Sequence, residues 1–414
     1  MAGKAAVLPD GIRLSDLMSV MVLGRVFPIE RVKVILTETG RSGLRERNLP
    51  AYLMVYYVIA LWLYRQASYQ EVLRCIFETF NWVNRDSEPI SVSCKAAIFK
   101  ARDRLGPEPL KRLCVELVKP IGTEKTRGAF WRGWRLISLD GSTLDIGDTN
   151  ANSEHFGRPA VSRGDGSAYP QLRFCSLLEN GTHVLFGTAM GPYSTGEITL
   201  ATDVITNLER GMLCLADRNF YGFELWTKAA ATGADLVWRI KSNAVLPCVS
   251  RLADGSFLST IYPTTKDRRR SENGVTVRIV EYSLANGSDN DDETTYRLMT
   301  TILDHERAPA LELAELYGRR WEIETTLDEF KTHLGGNALV LRSKTPEGVN
   351  QEFWGFVLAH HAVRAIMHDA AQKVDAAPNE LSYTHAVNEV RRKLPYFLVT
   401  PPTDVEENVR PTAN

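Results

Sequence analysis

Two aspartates at the ends of apolar runs, and a helix-spaced set of Tyr, Arg, Glu and Lys, are the residues of this sequence whose types and spacing suit chemistry. In LISLDGS the apolar run ends at Asp140, and in LCLADRNF it ends at Asp217. Two predicted strands therefore each deliver a carboxylate at their C-terminal end. A lone Asp in such a place is commonly a turn former or a helix cap. If the two strands are neighbours in one sheet, the two charges lie side by side and require a cation between them.

A third carboxylate comes from the stretch YGRRWEIETTLDEFK, Tyr317 to Lys331. At ~100° per residue, Tyr317, Arg320, Glu324 and Lys331 fall at about 0°, −60°, −20° and −40°, one narrow sector. Leu316, Ile323, Leu327, Phe330 and Leu334 form an apolar stripe beside it. A solvated face would lie opposite that stripe, so a polar sector bordering it points to a working edge near the packed surface. Asp140, Asp217 and Glu324 are hard oxygen donors of the kind Mg²⁺ accepts while keeping several waters. Two such ions roughly 3.5–4 Å apart activate the attacking oxygen and stabilise the leaving oxygen in phosphodiester cleavage and transfer. Arg320 and Lys331 would hold phosphates, and Tyr317 would hydrogen-bond a phosphate near the scissile bond.

The elements that must position these residues follow from periodicity. Up to about Gly122 the chain reads helical, with apolar residues three and four apart in RLSDLMSVMVLGRVF, IERVKVILTETG and SYQEVLRCIFETF. The run Ala51 to Tyr64 is short of the ~20 residues of a spanning helix and reads as a buried helix, with no membrane partner. From Trp134 the pattern changes to WRLISLDG, QLRFCSLL and THVLFGTAMG, then the helix EITLATDVITNLERG, the strand MLCLADRN, the helix FELWTKAAATG and the strand DLVWRIKS. This is an α/β domain on a mixed sheet. From about Ser242 to Asp304, alternating strands without helices predict a β-rich insertion, with basic KDRRR (Lys266 to Arg270) in one connection, read either as a run that tracks DNA or as a solvated hairpin tip, and acidic DNDDE (Asp289 to Glu293) in another. Helices resume at Ala308, and the tail beyond Tyr396 reads as irregular.

Bulk properties narrow the class. The net charge of −1 hides an asymmetry: residues 1–138 carry 22 basic against 13 acidic residues, and the remainder 27 against 37. A basic module suited to phosphate contacts thus precedes an acidic one suited to a divalent metal. Ser91 to Leu105, opening with a Ser cap and carrying Lys95, Lys100, Arg102 and Arg104, is the candidate DNA-facing helix, with a plain basic surface helix as the competing reading. Six scattered cysteines without a C-x-x-C pair argue against a zinc module or a disulfide framework, and predict reduced, buried thiols in a cytosolic protein. The opening MAGKAAVLPDGIRLSD has no apolar core of signal-peptide length. His360 and His361 lack H-E-x-x-H spacing and read as structural; Asp145 and Asp148 shape the loop after Asp140; Glu322, Asp328 and Glu329 fall outside the polar sector and read as surface charges.

The spacing Tyr-x2-Arg-x3-Glu-x6-Lys, met by Tyr317, Arg320, Glu324 and Lys331, resembles the YREK signature of bacterial transposases of the insertion-sequence-four family. LDGSTLDIGDTNAN and LADRNFYG resemble the blocks around that family's two aspartates, and the likeness spans roughly residues 10–375. The resemblance implies an RNase H-like fold with a DDE site of Asp140, Asp217 and Glu324, holding two Mg²⁺ ions for which Mn²⁺ can stand in. It divides the chain into a helical, basic DNA-binding domain (1–125), a catalytic domain (126–375) with a β insertion at about 242–304, and a C-terminal helix and tail (376–414). It also implies Mg²⁺-dependent cutting at the ends of a mobile element and transfer of the freed 3′-OH to target DNA. Terminal inverted repeats and target DNA would be the partners, a homodimer would form in the paired-end complex, and the site of action would be the bacterial cytoplasm, at the nucleoid. In hairpin-forming relatives an aromatic residue near the β insertion stacks on a flipped base. Trp238 of DLVWRIKS is the candidate here, with a plain core residue as the competing reading. Two other functions stay open at this point: a transposase-derived DNA-binding protein whose chemistry has lapsed, and a two-metal nuclease without strand transfer.

Overall fold

The computed structural model describes residues 23–43, 49–65, 67–83, 94–159, 169–241, 243–283, 295–334 and 339–392. The chain separates into two compact units, one of Met1–Val118, Glu329–Ala370 and Glu380–Asn414, the other of Lys119–Asp328 and Ala371–Asn379. Most of the expected first helix, the Ser91 cap, the DNDDE segment and the irregular tail lie outside the described residues.

The first unit is built on helices: Ile29–Glu38, Ala51–Leu63, Tyr69–Val83, Lys95–Leu105, Glu108–Leu117, most of Pro346–Lys373, and Tyr383–Arg392. Leu53 to Leu63 are all buried, which accounts for a sequence apolar on every side of the helix: it is the centre of a bundle. Trp62 stacks on Phe356 with ring centroids 4.0 Å apart and donates its indole N–H to the Glu352 carbonyl at 2.8 Å. The two helices meet closely at Gly355, where an added Cβ would lie 2.7 Å from a Val58 methyl. The long helix from Pro346 therefore belongs with the N-terminal helices, and the linear boundaries expected from sequence (1–125, 126–375, 376–414) do not follow the compact units. No described helix is long and apolar enough to cross a membrane.

The second unit is a mixed sheet. Its strands are β1 (Phe130–Trp131), β2 (Trp134–Ile146), β3 (Gln171–Glu179), β4 (Val184–Pro192), β5 (Met212–Ala216), β6 (Asp235–Ile240), β7 (Ser250–Arg251), β8 (Phe257–Ile261), β9 (Val275–Tyr282) and β10 (Tyr296–Thr300). They follow the order β4-β3-β2-β5-β6-β10-β9-β8-β7, with β1 pairing β2. β2, β3 and β4 form an antiparallel meander. The helices Glu197–Val204 and Phe223–Ala231 then carry the chain into β5 and β6, each parallel to its predecessor in the sheet, as crossover connections do.

The segment expected as a β insertion continues this sheet, because β10 pairs antiparallel with β6, Met299 opposite Trp238. Nor is it free of helix. Thr265–Arg270 is helical, with the Thr264 hydroxyl accepting from the Asp267 N–H at 3.1 Å, so KDRRR is a capped helical turn instead of a hairpin tip. Cys75, Cys114, Cys175 and Cys214 are buried as expected; Cys94 and Cys248 are exposed. A core of Leu136, Leu213, Leu215, Val237, Leu298 and their neighbours receives Leu313, Leu316 and Tyr317 from the helix that leads to Glu324.

Candidate active site

β2 does not stop at Asp140 but runs on to Ile146, paired with β3 as far as Asp145. What stops is its parallel partner: β5 ends at Ala216, and the last register pair is Leu139 opposite Ala216. The next residue on each strand is Asp140 and Asp217, so the two carboxylates emerge together where the ladder opens. The Asp140 side chain is 21% exposed, and its Oδ1 accepts the Gly141 N–H at 2.8 Å. Burial, with the Asp217 and Glu197 charges adding to it against the Gly141 N–H and Arg320, pushes its carboxyl up to about 6. Asp217 is held by one residue: Asn219 donates its backbone N–H to Oδ1 at 2.9 Å and its amide to Oδ2 at 3.0 Å.

The third expected donor stands on a segment that is not one uniform α-helix. Ala310–Tyr317 is α-helical, Gly318–Arg320 is a 3₁₀ turn, Trp321–Asp328 is α-helical again, and Glu329–Leu334 is a π-helix. Arg320 still reaches Glu324 one turn on, with Nη2 2.6 Å from Oε1, while its Nη1 lies 3.8 Å from Asp140 Oδ2. The guanidinium thus links two of the three expected metal ligands. Lys331 falls on the π-helical stretch and belongs to the other compact unit, so the phase calculated for it with a uniform step does not carry over.

Tyr317 is 7% exposed and its hydroxyl donates to the Ala216 carbonyl at 3.3 Å. Burial holds this phenol protonated, its pKa well above the ordinary value. It braces the strand end that leads into Asp217, which corrects the expectation that it faces a phosphate. The segment is fixed from the sheet side as well. Asn180 donates its amide to the Arg319 carbonyl at 2.9 Å, and Glu322 accepts the Gly181 N–H at 2.7 Å with His183 Nε2 3.4 Å away. Glu322 is therefore an anchor and not a surface charge. Glu329 likewise pairs with the buried Arg364 within the first unit. Asp145 lies within β2 opposite Gln171 of β3, whose amide donates to it at 2.7 Å, so it is a strand residue where a loop former was expected; Asp148, in the connection that follows, pairs with Arg158.

One acid escaped the reading of the sequence. Glu197, in the first turn of its helix, lies over β2 beside Asp140: a Cβ on Gly141 would sit 3.2 Å from the Glu197 Cγ and Oε1. The glycine after Asp140 was the available signal, since it leaves room on the strand for another chain to approach. Trp321 also went unremarked, and it is 64% exposed next to Arg320. Trp238, by contrast, is wholly buried and packs edge to face on Trp226 at 5.2 Å, which removes it as a base-stacking residue. Of the four cations expected to face DNA, Lys95, Lys100 and Arg104 are exposed. Arg102 is 7% exposed and turned inward, donating to Gln351 Oε1 at 2.7 Å, so it is a core residue of the first unit.

Among the described residues, no group of three or more His, Cys, Asp or Glu side chains stands ready-made to hold a metal ion. The donor chemistry nevertheless fits a hard divalent cation. Asp140 and Asp217 emerge side by side, burial and then the neighbouring Asp217 charge raise the pKa of Asp140, and Arg320 is the cation that ties Asp140 to Glu324.

Comparison with known proteins bears on the family of the chain. Residues 17–114 match the family described as insertion element 4 transposase N-terminal, and residues 131–361 match the transposase DDE domain. Over 398 residues the chain is 28% identical to the transposase InsG for insertion sequence element IS4 of Escherichia coli (strain K12), covering 95% of this chain and 87% of that one. Among solved structures, the piggyBac transposase synaptic complex with hairpin DNA aligns with 94% of this chain and 83% of its own at a TM-score of 0.46 and 11% identity, a likeness too slight to argue from.

Proposed function

The chain belongs to the DDE transposases of the insertion-element-4 type, and from that premise we propose that it binds the terminal inverted repeats of its own mobile element, hydrolyses the phosphodiester at each end and transfers the freed 3′-OH to target DNA. The observation that carries this reading is the emergence of Asp140 beside Asp217 with Arg320 bridging to Glu324. The order β4-β3-β2-β5-β6, an antiparallel meander followed by parallel strands, supports an RNase H-like sheet beneath it.

Asp140, Asp217 and Glu324 would hold Mg²⁺, or Mn²⁺ in its place, as a two-ion site. When bound, such ions supply positive charge at the attacking and leaving oxygens. The chain's own residues do the rest. Asn219 fixes the Asp217 carboxylate through both oxygens, and Tyr317 braces the Ala216 carbonyl at the strand end that precedes it. Arg320 and Lys331 hold phosphates of the element end, and the exposed Lys95, Lys100 and Arg104 contact the DNA backbone outside the reaction centre. Two copies acting on paired ends complete the reaction.

The test is cleavage of a duplex carrying one end of the element. With Mg²⁺ the duplex is nicked at the element boundary, and chelation with EDTA stops the reaction. Asp140→Asn, Asp217→Asn and Glu324→Gln each abolish nicking while DNA binding persists. Wild-type cutting by any of the three removes that residue from the site. Joining of the cut end to a second DNA distinguishes a transposase from a nuclease; cutting with no joining would overturn the transfer half of the proposal.

A further inference from the structure

Arg320 is held where a metal would have to act. Its side chain is 11% exposed, Nη2 is 2.6 Å from Glu324 Oε1 and Nη1 is 3.8 Å from Asp140 Oδ2, with the guanidinium carbon 5.9 Å from the Tyr317 ring and 5.8 Å from that of Trp321. A planar fork turns separate nitrogens toward two carboxylates on different elements, a geometry that a lysine's single ammonium does not reproduce. The same two carboxylates are assigned to the metal in the proposed function, on which this inference rests. A guanidinium and a divalent cation cannot both occupy the gap between Asp140 and Glu324, because like charges that close repel strongly in a partly desolvated site.

We infer that Arg320 is a placeholder cation that couples metal binding to the grip on DNA: in the free chain it neutralises Asp140 and Glu324, and arrival of the divalent ion releases it toward a DNA phosphate. No new charge has to be brought in for the second task. The released guanidinium stays on its short 3₁₀ turn, tethered by the Asn180 and Glu322 contacts on either side, so only its side chain has to swing. Because coupling between two ligands is reciprocal, DNA that captures the guanidinium must tighten metal binding by the same factor as metal tightens DNA binding.

The experiment measures Mn²⁺ affinity of the full chain by electron paramagnetic resonance of the free ion, alone and saturated with a pre-cut element-end duplex that offers no bond to hydrolyse. For the wild type, the duplex tightens Mn²⁺ binding about tenfold; for Arg320→Ala, the free chain already binds Mn²⁺ about fivefold tighter than wild type, and the duplex adds less than about twofold. Arg320→Lys, which keeps a charge without the fork, falls between them. The Mn²⁺-induced rise in melting temperature, larger for Arg320→Ala than for wild type, reports the same change and also shows that the variant is folded. If Arg320→Ala binds Mn²⁺ no tighter than wild type, or if the duplex still tightens it tenfold, the placeholder role is overturned. Asp140→Asn separates the two levels of the argument. Retention of wild-type Mn²⁺ affinity by that variant overturns the metal assignment itself, whereas its loss beside an unchanged Arg320→Ala overturns the placeholder alone.

Discussion

Replacing Asp140 by Asn should stabilise the metal-free protein while destroying its chemistry. In the folded chain the Asp140 carboxyl titrates at about 6 against an ordinary value of 3.8, first because it is buried and then because Asp217 and Glu197 share its surroundings. Below about pH 4 the carboxyl carries a proton in both folded and unfolded chains, and no penalty arises. Between 4 and 6 the unfolded chain releases the proton and the folded chain retains it, so folding becomes progressively less favourable as pH rises. Above about 6 both are ionised and the penalty is constant, at most about 3 kcal/mol. Asparagine removes that charge, and its own Oδ1 can still accept the Gly141 N–H that Asp140 accepts at 2.8 Å. The attraction of Arg320 at 3.8 Å is lost, an offset of under about 1 kcal/mol for a pair that long. A net gain of about 2 kcal/mol corresponds to roughly 4 to 8 °C in Tm for a unit of this size. The assay is thermal unfolding of the EDTA-treated protein at pH 7.5 and pH 4. Asp140→Asn should melt higher than wild type at pH 7.5, and the two should converge at pH 4. An Asn variant that melts no higher at pH 7.5, or one whose advantage persists unchanged at pH 4, would refute the reasoning, because the carboxyl would then not be the strained group the structure makes it.

Two further outcomes follow from burial. Combined replacement of the exposed Lys95, Lys100 and Arg104 by Ala should lower the slope of log affinity for DNA against log salt by about 2 to 3, whereas Arg102→Ala should leave that slope alone and lower the melting temperature; the reverse pattern in a salt titration would move the DNA-facing side of this helix. Glu179 is fully buried and accepts from the Ile121 and Gly122 N–H groups at 2.8 Å, from Thr182 Oγ1 at 2.7 Å and from Arg135, so Glu179→Ala should cost about 3–5 kcal/mol in urea unfolding, and a loss below about 1 kcal/mol would show the network to be dispensable.

How far the site was legible depended on how local each signal was. Asp140 and Asp217 could be found because an apolar run that stops at a carboxylate is a feature of a few consecutive residues, although the reason it matters lies elsewhere: β2 continues and β5 does not. Trp238 and Arg102 were left with two readings each because nothing near them in sequence says which way they face. Trp238 is covered by Trp226 and by the sheet that β10 extends, and Arg102 is turned inward by Gln351, 249 residues away. Glu197 was invisible for the same reason, since its partner is the backbone of a strand far earlier in the chain. The segment from Tyr317 to Lys331 holds both cases. The 3₁₀ turn ends at Arg320 and Trp321 to Asp328 are α-helical, so the four-residue step from Arg320 to Glu324 keeps its α-helical phase and the contact forms at 2.6 Å. Phase errors accumulate with separation, however, and Lys331 lies beyond a change to π-helix at Glu329. The pair Arg320 and Glu324 is therefore a statement about neighbours that helical spacing is entitled to make. A shared role for Lys331 needs a determinant that spacing does not supply.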